Sequence, residues 1–424
     1  MEEGYGQIRV LHVLGGLGLG GAECRILDLY RNMDRDSIQF DFLVHYPAEK
    51  TGKKSPTSDE LMAVREPDYF DNVVYKLGGR IFCLPKFTGT NLSEYKKAIK
   101  RFFKTHEGQW KVVQGHMTST AALYLPVAKK SGVPICIAHA RSAGVDKGLK
   151  GYATKFLRTP LHKENFTDYC FACSKEAGIS VFGEKLVEEQ KVEIIPNAID
   201  LKRFTYAPAT RDKIRSELGL SNAIIIGHVG SFRYAKNHEF LLNVFAQLVR
   251  RIDNDDLNEY TILHGMRIKL LMLGKGPLQE EMEELAKKLH IYERCIFAGN
   301  KSNASDYYQA MDYFCFPSRY EGLPGSVVEA EASGLQCLVS DSVTDEVDVT
   351  DLVTMMSLNE DPAAWAKKII DDLILKSNPV GESGIAFGNR AECSEYACNE
   401  LKQAGFDVKA QAKEMTYFYK RGHF

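Results

Sequence analysis

The sequence predicts an α/β protein made of two successive doubly wound parallel sheets. Three observations carry this. Short apolar runs alternate with segments of helical periodicity, the pattern restarts near residue 200, and the chain is 424 residues long. Strands alternating with helices imply β-α-β units, whose parallel strands are buried on both faces and read as continuous apolar runs. Single cores stop growing at about 250–300 residues, so a chain of this length divides.

The elements follow in order. Ile8–Leu14 reads as a buried strand, then glycines, then a helix over about Ala22–Met33. Phe40–His45 is a second strand, and Pro47–Asp59, rich in Lys, Ser and Pro, reads as a mobile polar loop. Lys111–Gly115 and Pro134–His139 are strands flanking a helix at Ser119–Lys130, and another strand ends at Ile194–Ile195. Pro196–Pro208 is a connector. The pattern begins again at Ile224–Val229, followed by strands at Lys269–Leu273, Cys295–Phe297, Tyr313–Phe316 and Gln336–Ser340. Helices fall around His238–Arg251, Leu278–Leu289 and Ser305–Met311, and Arg251–Arg267 reads as a polar insertion. The expected domains are 1–198 and 199–390. A helical segment, 391–424, is expected to pack back on the first domain.

Composition excludes several classes. With 54 Lys+Arg against 56 Asp+Glu, the net charge of -2 argues against a nucleic-acid partner. The ten cysteines are too sparse for a disulfide framework, and several lie inside apolar runs. Cys170 and Cys173 form a lone C-x-x-C at a strand end, so buried thiols in a reducing, cytoplasmic compartment are expected. The N-terminus lacks the basic region of a signal peptide. No apolar run reaches the roughly 20 residues of a spanning helix, so any membrane contact is peripheral.

Gly15–Gly21 joins the first strand to the first helix and contains G-x-G-x-x-G at Gly16, Gly18 and Gly21. Glycines let backbone approach an anion, and a helix N-terminus adds N–H donors. A dehydrogenase would place an acidic residue at the end of the second strand, whereas Asp41 lies near its start. A plain tight turn remains the alternative.

The segment Pro317–Ala330 is more informative. It leaves a strand and enters a helix, with Glu321 in the loop and Glu329 eight residues on. Between them Gly322, Leu323 and Gly325 offer backbone amides. Amides suit phosphates, and carboxylates suit ribose and hexose hydroxyls. The bland reading is a loop carboxylate plus one answering a helix dipole.

Several stretches occur in an order that carries a family resemblance: Gly15–Glu23, Ile137–Arg141, Ala172–Ala177, Ile195–Asp200, Val229–Phe232 with Lys236-Asn237, and the paired glutamates. Across nearly its whole length the chain resembles the GT-B glycosyltransferases of family 4. It is most similar to the subgroup that builds bacterial exopolysaccharide and capsule. The resemblance implies the GT-B fold, with two Rossmann-like domains facing across a cleft.

By resemblance, Lys236 contacts the donor diphosphate, Glu329 the ribose and Glu321 the donor hexose. Gly230, Arg233, Asn300, Leu323 and Gly325 join the donor-binding set with Gly16, Gly18 and Gly21. His116 matches a catalytic histidine near the transferred sugar, and His139 and Arg141 fall on the acceptor side. A satisfied strand-end histidine and a surface cation are the alternatives for His116 and Arg141. The family's arginine after the strand glycine is replaced by Ser231, and Arg233 is the candidate substitute. Asn197-Ala198 replaces the usual Asn-Gly.

The implied reaction is a retaining transfer, with no metal or other cofactor, from a nucleotide-sugar donor such as a UDP-sugar. The acceptor is a glycan or a polyprenyl-diphosphate-linked glycan. Asp34-Arg35-Asp36 and Asp253-Asn254-Asp255 read as solvated loops rather than metal sites. A hydrolase could use two carboxylates but needs neither the glycine loop nor the lysine. Alternatives on the same fold are a nucleotide-sugar epimerase, a phosphorylase, or an inactive nucleotide-sugar-binding protein. Basic and aromatic residues interleave in Lys147–Lys163 and Tyr95–Lys104. Both read as peripheral contacts with the inner face of the plasma membrane or as solvated amphipathic helices.

Overall fold

The computed structural model describes residues 7–143, 149–163, 165–253, 267–375 and 388–424. The chain forms two compact units, Met1–Ala198 with Val408–Phe424, and Ile199–Asp407.

The first unit holds strands β1 (Ile8–Val13), β2 (Ile38–Tyr46), β3 (Ile81–Pro85), β4 (Val112–Gly115), β5 (Ile135–Ala140), β6 (Tyr169–Ala172) and β7 (Val192–Ile194). Their spatial order is β3-β2-β1-β4-β5-β6-β7 and every described pairing is parallel. The order reverses between β1 and β4, where Val13 stands beside Gly115. That switch point opens a crevice at the strands' C-terminal ends. Strand β3 was not foreseen. It is a short edge strand, and the Ser58 hydroxyl accepts its Cys83 amide at 2.9 Å.

The helix Gly21–Asn32 buries Ile26, Leu27, Leu29 and Tyr30 in a core shared with Phe40, Phe42 and Val44. The helix Val408–Arg421 adds Val408, Ala412, Met415, Phe418 and Tyr419, at helical spacing, to the same core. Each large apolar side chain so buried contributes roughly 1.5–3 kcal/mol.

The expected segment 391–424 is not one piece. The helix Arg390–Gln403 belongs to the second unit, where Ser394 Oγ donates to Ala332 O at 2.6 Å. The helix stops at Ala404, Gly405 takes a φ of 87°, and Asp407 bridges to Ile199. Only Val408 onward joins the first unit, because only that helix carries an apolar stripe matching the first core. The loop expected at Pro47–Asp59 contains a 3-10 turn at Ala48–Thr51 and the start of the helix Ser58–Val64. A Thr57/Glu60 capping box sets that helix start. Most of the polar insertion Arg251–Arg267 lies outside the described residues.

The second unit holds β8 (Ala223–Val229), β9 (Arg267–Leu273), β10 (Cys295–Gly299), β11 (Tyr313–Phe316), β12 (Cys337–Ser340) and β13 (Val353–Met356). The order is β10-β9-β8-β11-β12-β13, again parallel, with its switch point between β8 and β11. Strand β13 was missed because it is four residues with a threonine and no glycine turn after it. Phe232, Leu241, Phe245 and Trp365 anchor this core.

Asp41, weighed as a ribose ligand, is fully buried and structural. It pairs with Arg9 and Arg80 and accepts from Trp110 Nε1 at 2.8 Å. Cys170 and Cys173 are buried free thiols, and burial pushes Cys170 up to about 11. Among the described residues no helix is long and apolar enough to cross a membrane.

Candidate functional site

Both groups of candidate residues fall at switch points. In the second unit, backbone bonds join the loops leaving β8, β9 and β10. Gly230 N donates to Leu273 O at 2.9 Å and Gly274 N to Gly299 O at 3.0 Å. Gly274 has a φ of 135°, and a Cβ there would collide with the Gly230 carbonyl. The wall so formed carries Gly230 and, at its far end, exposed Asn300.

The turn Tyr234–Lys236 ends at Asn237, held left-handed at φ 54°. The loop after β11 grips this turn: Arg319 N donates to Ala235 O and Arg319 Nη1 to Tyr234 O, both at 2.7 Å. This grip brings Lys236 Nζ to 2.7 Å from Glu321 Oε1 and 4.6 Å above the Phe316 ring. The two side chains are 17% and 18% exposed. Glu321 Oε1 has no aligned hydrogen bond, so the contact is a charge pair. Gly230 makes room for it, since a Cβ there would stand 3.0 Å from Lys236 Cδ. Arg233 precedes the same turn and is exposed.

Unforeseen polar groups surround this pair. His228 is buried with Nδ1 2.9 Å from Cys315 O, and burial lowers its pKa to about 4. A carbonyl can only accept, so Nδ1 carries the proton and Nε2 is a bare acceptor. His238 stacks on Phe232 at 3.9 Å, and burial lowers it to about 2. Asn237 Oδ1, Ser318 Oγ and Ser326 Oγ are buried without hydrogen-bond partners. Buried polar atoms are normally paired, so this edge concentrates unused hydrogen-bonding capacity. No spacing rule marks single His or Ser residues, so no local pattern could have found them.

Glu329 is the fifth residue of the helix Gly325–Ala332, which no side chain caps. Tyr308 OH donates to its Oε2 at 2.8 Å. Leu323 is buried just before the helix, and the space beside Gly325 Cα is open.

In the first unit, none of Gly15–Gly21 has positive φ, so these glycines provide room rather than a left-handed turn. Gly18 and Gly21 face open space, while a Cβ on Gly16 would stand 3.1 Å from Asp68 Oδ2. That same oxygen accepts the Leu17 amide at 2.8 Å and is held by Arg65 at 2.7 Å. One loop amide is therefore already used internally. Glu23 folds its carboxylate against Gly20, and burial raises its pKa.

His116, His139 and Arg141 come together behind this loop. His116 Nε2 lies 3.0 Å from His12 Nδ1, and Arg141 Nε donates to His116 Nδ1 at 3.3 Å. Both His116 nitrogens are thus engaged. Guanidinium only donates, which fixes the direction of the chain: Arg141 to His116 to His12. A second chain runs from Tyr419 OH to Gln114 Oε1 (2.6 Å) and from Gln114 Nε2 to His139 Nδ1 (2.7 Å). Burial, then the charge of Arg141, holds all three histidines far below the usual range, His12 at about 3.

Of the two basic-aromatic segments, the helix Leu92–Thr105 buries Tyr95, Phe102 and Phe103. Its aromatics belong to the core, and only its lysine face meets solvent. The helix Leu149–Arg158 differs: Tyr152 is 74% and Phe156 79% exposed. Lys147 lies outside the described residues.

The Glycosyl transferases group 1 family matches residues 210–391. The chain is 33% identical over 367 residues to the glycosyltransferase EpsF of Bacillus subtilis (strain 168), covering 86% of this chain and 87% of that one. It is 25% identical over 282 residues to the UDP-Gal:alpha-D-GlcNAc-diphosphoundecaprenol alpha-1,3-galactosyltransferase of Escherichia coli, covering 64% and 68%. In fold it is similar to Anabaena Alr3699/HepE, solved with UDP and glucose, with a TM-score of 0.71 at 13% identity over 98% of this chain and 100% of that one. With the Bacillus relative matched along most of both chains, and two parallel sheets arranged as described, the protein belongs to the group 1 glycosyltransferases.

Proposed function

We propose that the enzyme moves a hexose or N-acetylhexosamine from a UDP-sugar to a polyprenyl-diphosphate-linked glycan during surface polysaccharide synthesis. The observation that carries this is the Lys236–Glu321 pair at the β8/β11 switch point, a cation beside a carboxylate. In this reading the cation meets the donor diphosphate and Glu321 the hexose hydroxyls. Glu329, oriented by Tyr308, takes the ribose diol, and Gly230, Arg233, Asn300, Leu323 and Gly325 complete the donor set. Relatives named for diphosphoundecaprenol acceptors and alpha linkages support the acceptor class and a retaining course.

The chemistry asked of the protein is electrostatic. As the sugar–diphosphate bond breaks, its electron pair goes to the diphosphate, and the acceptor hydroxyl forms the new bond and gives up its proton. Lys236 and the amides of Leu323 and Gly325 meet the charge developing on the leaving group, with no metal in this reading. The first unit takes the acceptor, with Gly16, Gly18, Gly21, His116, His139 and Arg141 as its polar groups. His116 serves there through its bond to Arg141, since both its nitrogens are engaged. Exposed Tyr152 and Phe156, four residues apart beside Lys155, fit an anionic membrane surface that would deliver a lipid-linked acceptor.

Saturation-transfer NMR against UDP, GDP and their sugars tests the donor, and turnover with a polyprenyl-diphosphate-linked N-acetylhexosamine tests the acceptor. Signal for UDP that is lost in Lys236→Ala is expected. Binding of no nucleotide would end this reading, and UDP binding without turnover on any acceptor would favour a binding protein.

A further inference from the structure

Most buried or half-buried arginines of the first unit have an aspartate partner. Arg9 and Arg80 pair with Asp41, and Arg65 pairs with Asp71. Arg141 departs from this. Its described bonds go to two neutral acceptors, His116 Nδ1 at 3.3 Å and Asn197 Oδ1 at 2.7 Å. Among the described residues it forms no ion pair. Three of its five N–H groups, including both on Nη2, make no described bond.

The group is also fixed in direction. His116 is itself held by His12, and Asn197 lies in the connector after β7, so the guanidinium plane is held at two points, Nε and Nη1. The histidines around it are neutral and cannot supply a counter-charge. Glu23 is near enough to act electrostatically but forms no ion pair with it, and Arg25 adds charge of the same sign. Burial lowers Arg141 to about 10, which leaves it cationic at neutral pH. A charge withdrawn from water is costly unless paired. A guanidinium held at Nε and Nη1, with both Nη2 N–H groups outside any described bond, can offer those donors to phosphate oxygens.

We infer that Arg141, oriented by His116 and Asn197, is the cation of a phosphate site in the first unit, distinct from Lys236, that recognises the acceptor's diphosphate. This rests on the reading that the first unit takes the acceptor. His116 and Asn197 are positioning residues for it. His139, near the C-terminal end of β5 and two residues before Arg141, has a buried Nε2 without a partner and stands beside His116 at 5.2 Å between ring centroids.

Calorimetric titration of the full chain with inorganic pyrophosphate tests this. Wild type should bind at two sites, Arg141→Gln at one and Lys236→Gln at one. UDP affinity should stay within twofold of wild type in Arg141→Gln. Two sites in Arg141→Gln overturns the inference. So does a single wild-type site that disappears in Lys236→Gln. A tenfold loss of UDP affinity in Arg141→Gln would assign the arginine to the donor and overturn the acceptor site. If Arg141→Gln fails to fold, Arg141→Lys keeps the charge and loses the fork. It should weaken one pyrophosphate site about tenfold, and unchanged affinity there overturns the inference. Two sites surviving in Lys236→Gln would instead count against the donor reading and leave Arg141 standing.

Discussion

Lys236 Nζ and Glu321 Oε1 stand 2.7 Å apart, brought together because the loop after β11 grips the turn after β8. Each group neutralises the other, so in the proposed reading a donor diphosphate competes with Glu321 for the lysine. If the proposed reading holds, Glu321→Gln should lower transfer by at least about a hundredfold, because the carboxylate assigned there to the hexose is lost. The same variant should bind UDP more tightly by up to about fivefold, since a charge pair still reached by solvent is worth about 1 kcal/mol. Wild-type rates would remove Glu321 from the mechanism, and weaker UDP binding would show that the pair does not restrain Lys236.

Gly274→Ala tests the stitched wall. Its Cβ would meet the Gly230 carbonyl at a φ of 135°, which only glycine tolerates. A loss of at least about 2 kcal/mol in urea unfolding is expected, with weaker UDP binding as Gly230 shifts.

Tyr419→Phe removes the hydroxyl that Gln114 Oε1 accepts at 2.6 Å. The ring keeps its place in the core, so the expected cost is that of one buried, unsatisfied acceptor, about 1–3 kcal/mol. Denaturant unfolding measures it, and an unchanged midpoint would mean the Gln114–His139 chain is not held by the C-terminal helix.

Buried neutral histidines predict an acid-labile fold. His12, His228 and His238 have folded pKa values of about 3, 4 and 2 against an ordinary 6.5. The depressed values mean that the unfolded chain takes up protons first as pH falls. Stability is therefore intact above about pH 6.5 and declines below it, by about 2 kcal/mol per histidine at pH 5. An unfolding free energy that stays flat from pH 7 to pH 5 would contradict these environments.

Tyr152→Ser with Phe156→Ser should reduce sedimentation with anionic vesicles by at least about tenfold, since two exposed aromatic rings are lost from the apolar contact. Transfer to a short, water-soluble acceptor should be unchanged. Equal vesicle binding by the variant would remove this helix from the membrane surface.

Much of the second-unit site could be read from the chain because its pieces are local. A strand, a glycine, a lysine after a turn and two glutamates flanking a helix start are spaced along short segments, so periodicity and motif place them. The contacts that were not foreseen act at long sequence separation. His12 meets His116, Tyr419 reaches Gln114, and Arg141 finds Asn197. No local pattern encodes such contacts.

The sequence alone determined the two α/β units, the strand-to-helix order and the presence of carboxylates and a lysine at strand ends, because short-range periodicity and turn chemistry set these. Tertiary structure alone decided which helix closes the first core, which amide of the glycine loop Asp68 takes, and that Lys236 holds Glu321. Those outcomes depend on which side chains a parallel sheet brings beside one another across its switch point, and that neighbourhood exists only once the chain has folded.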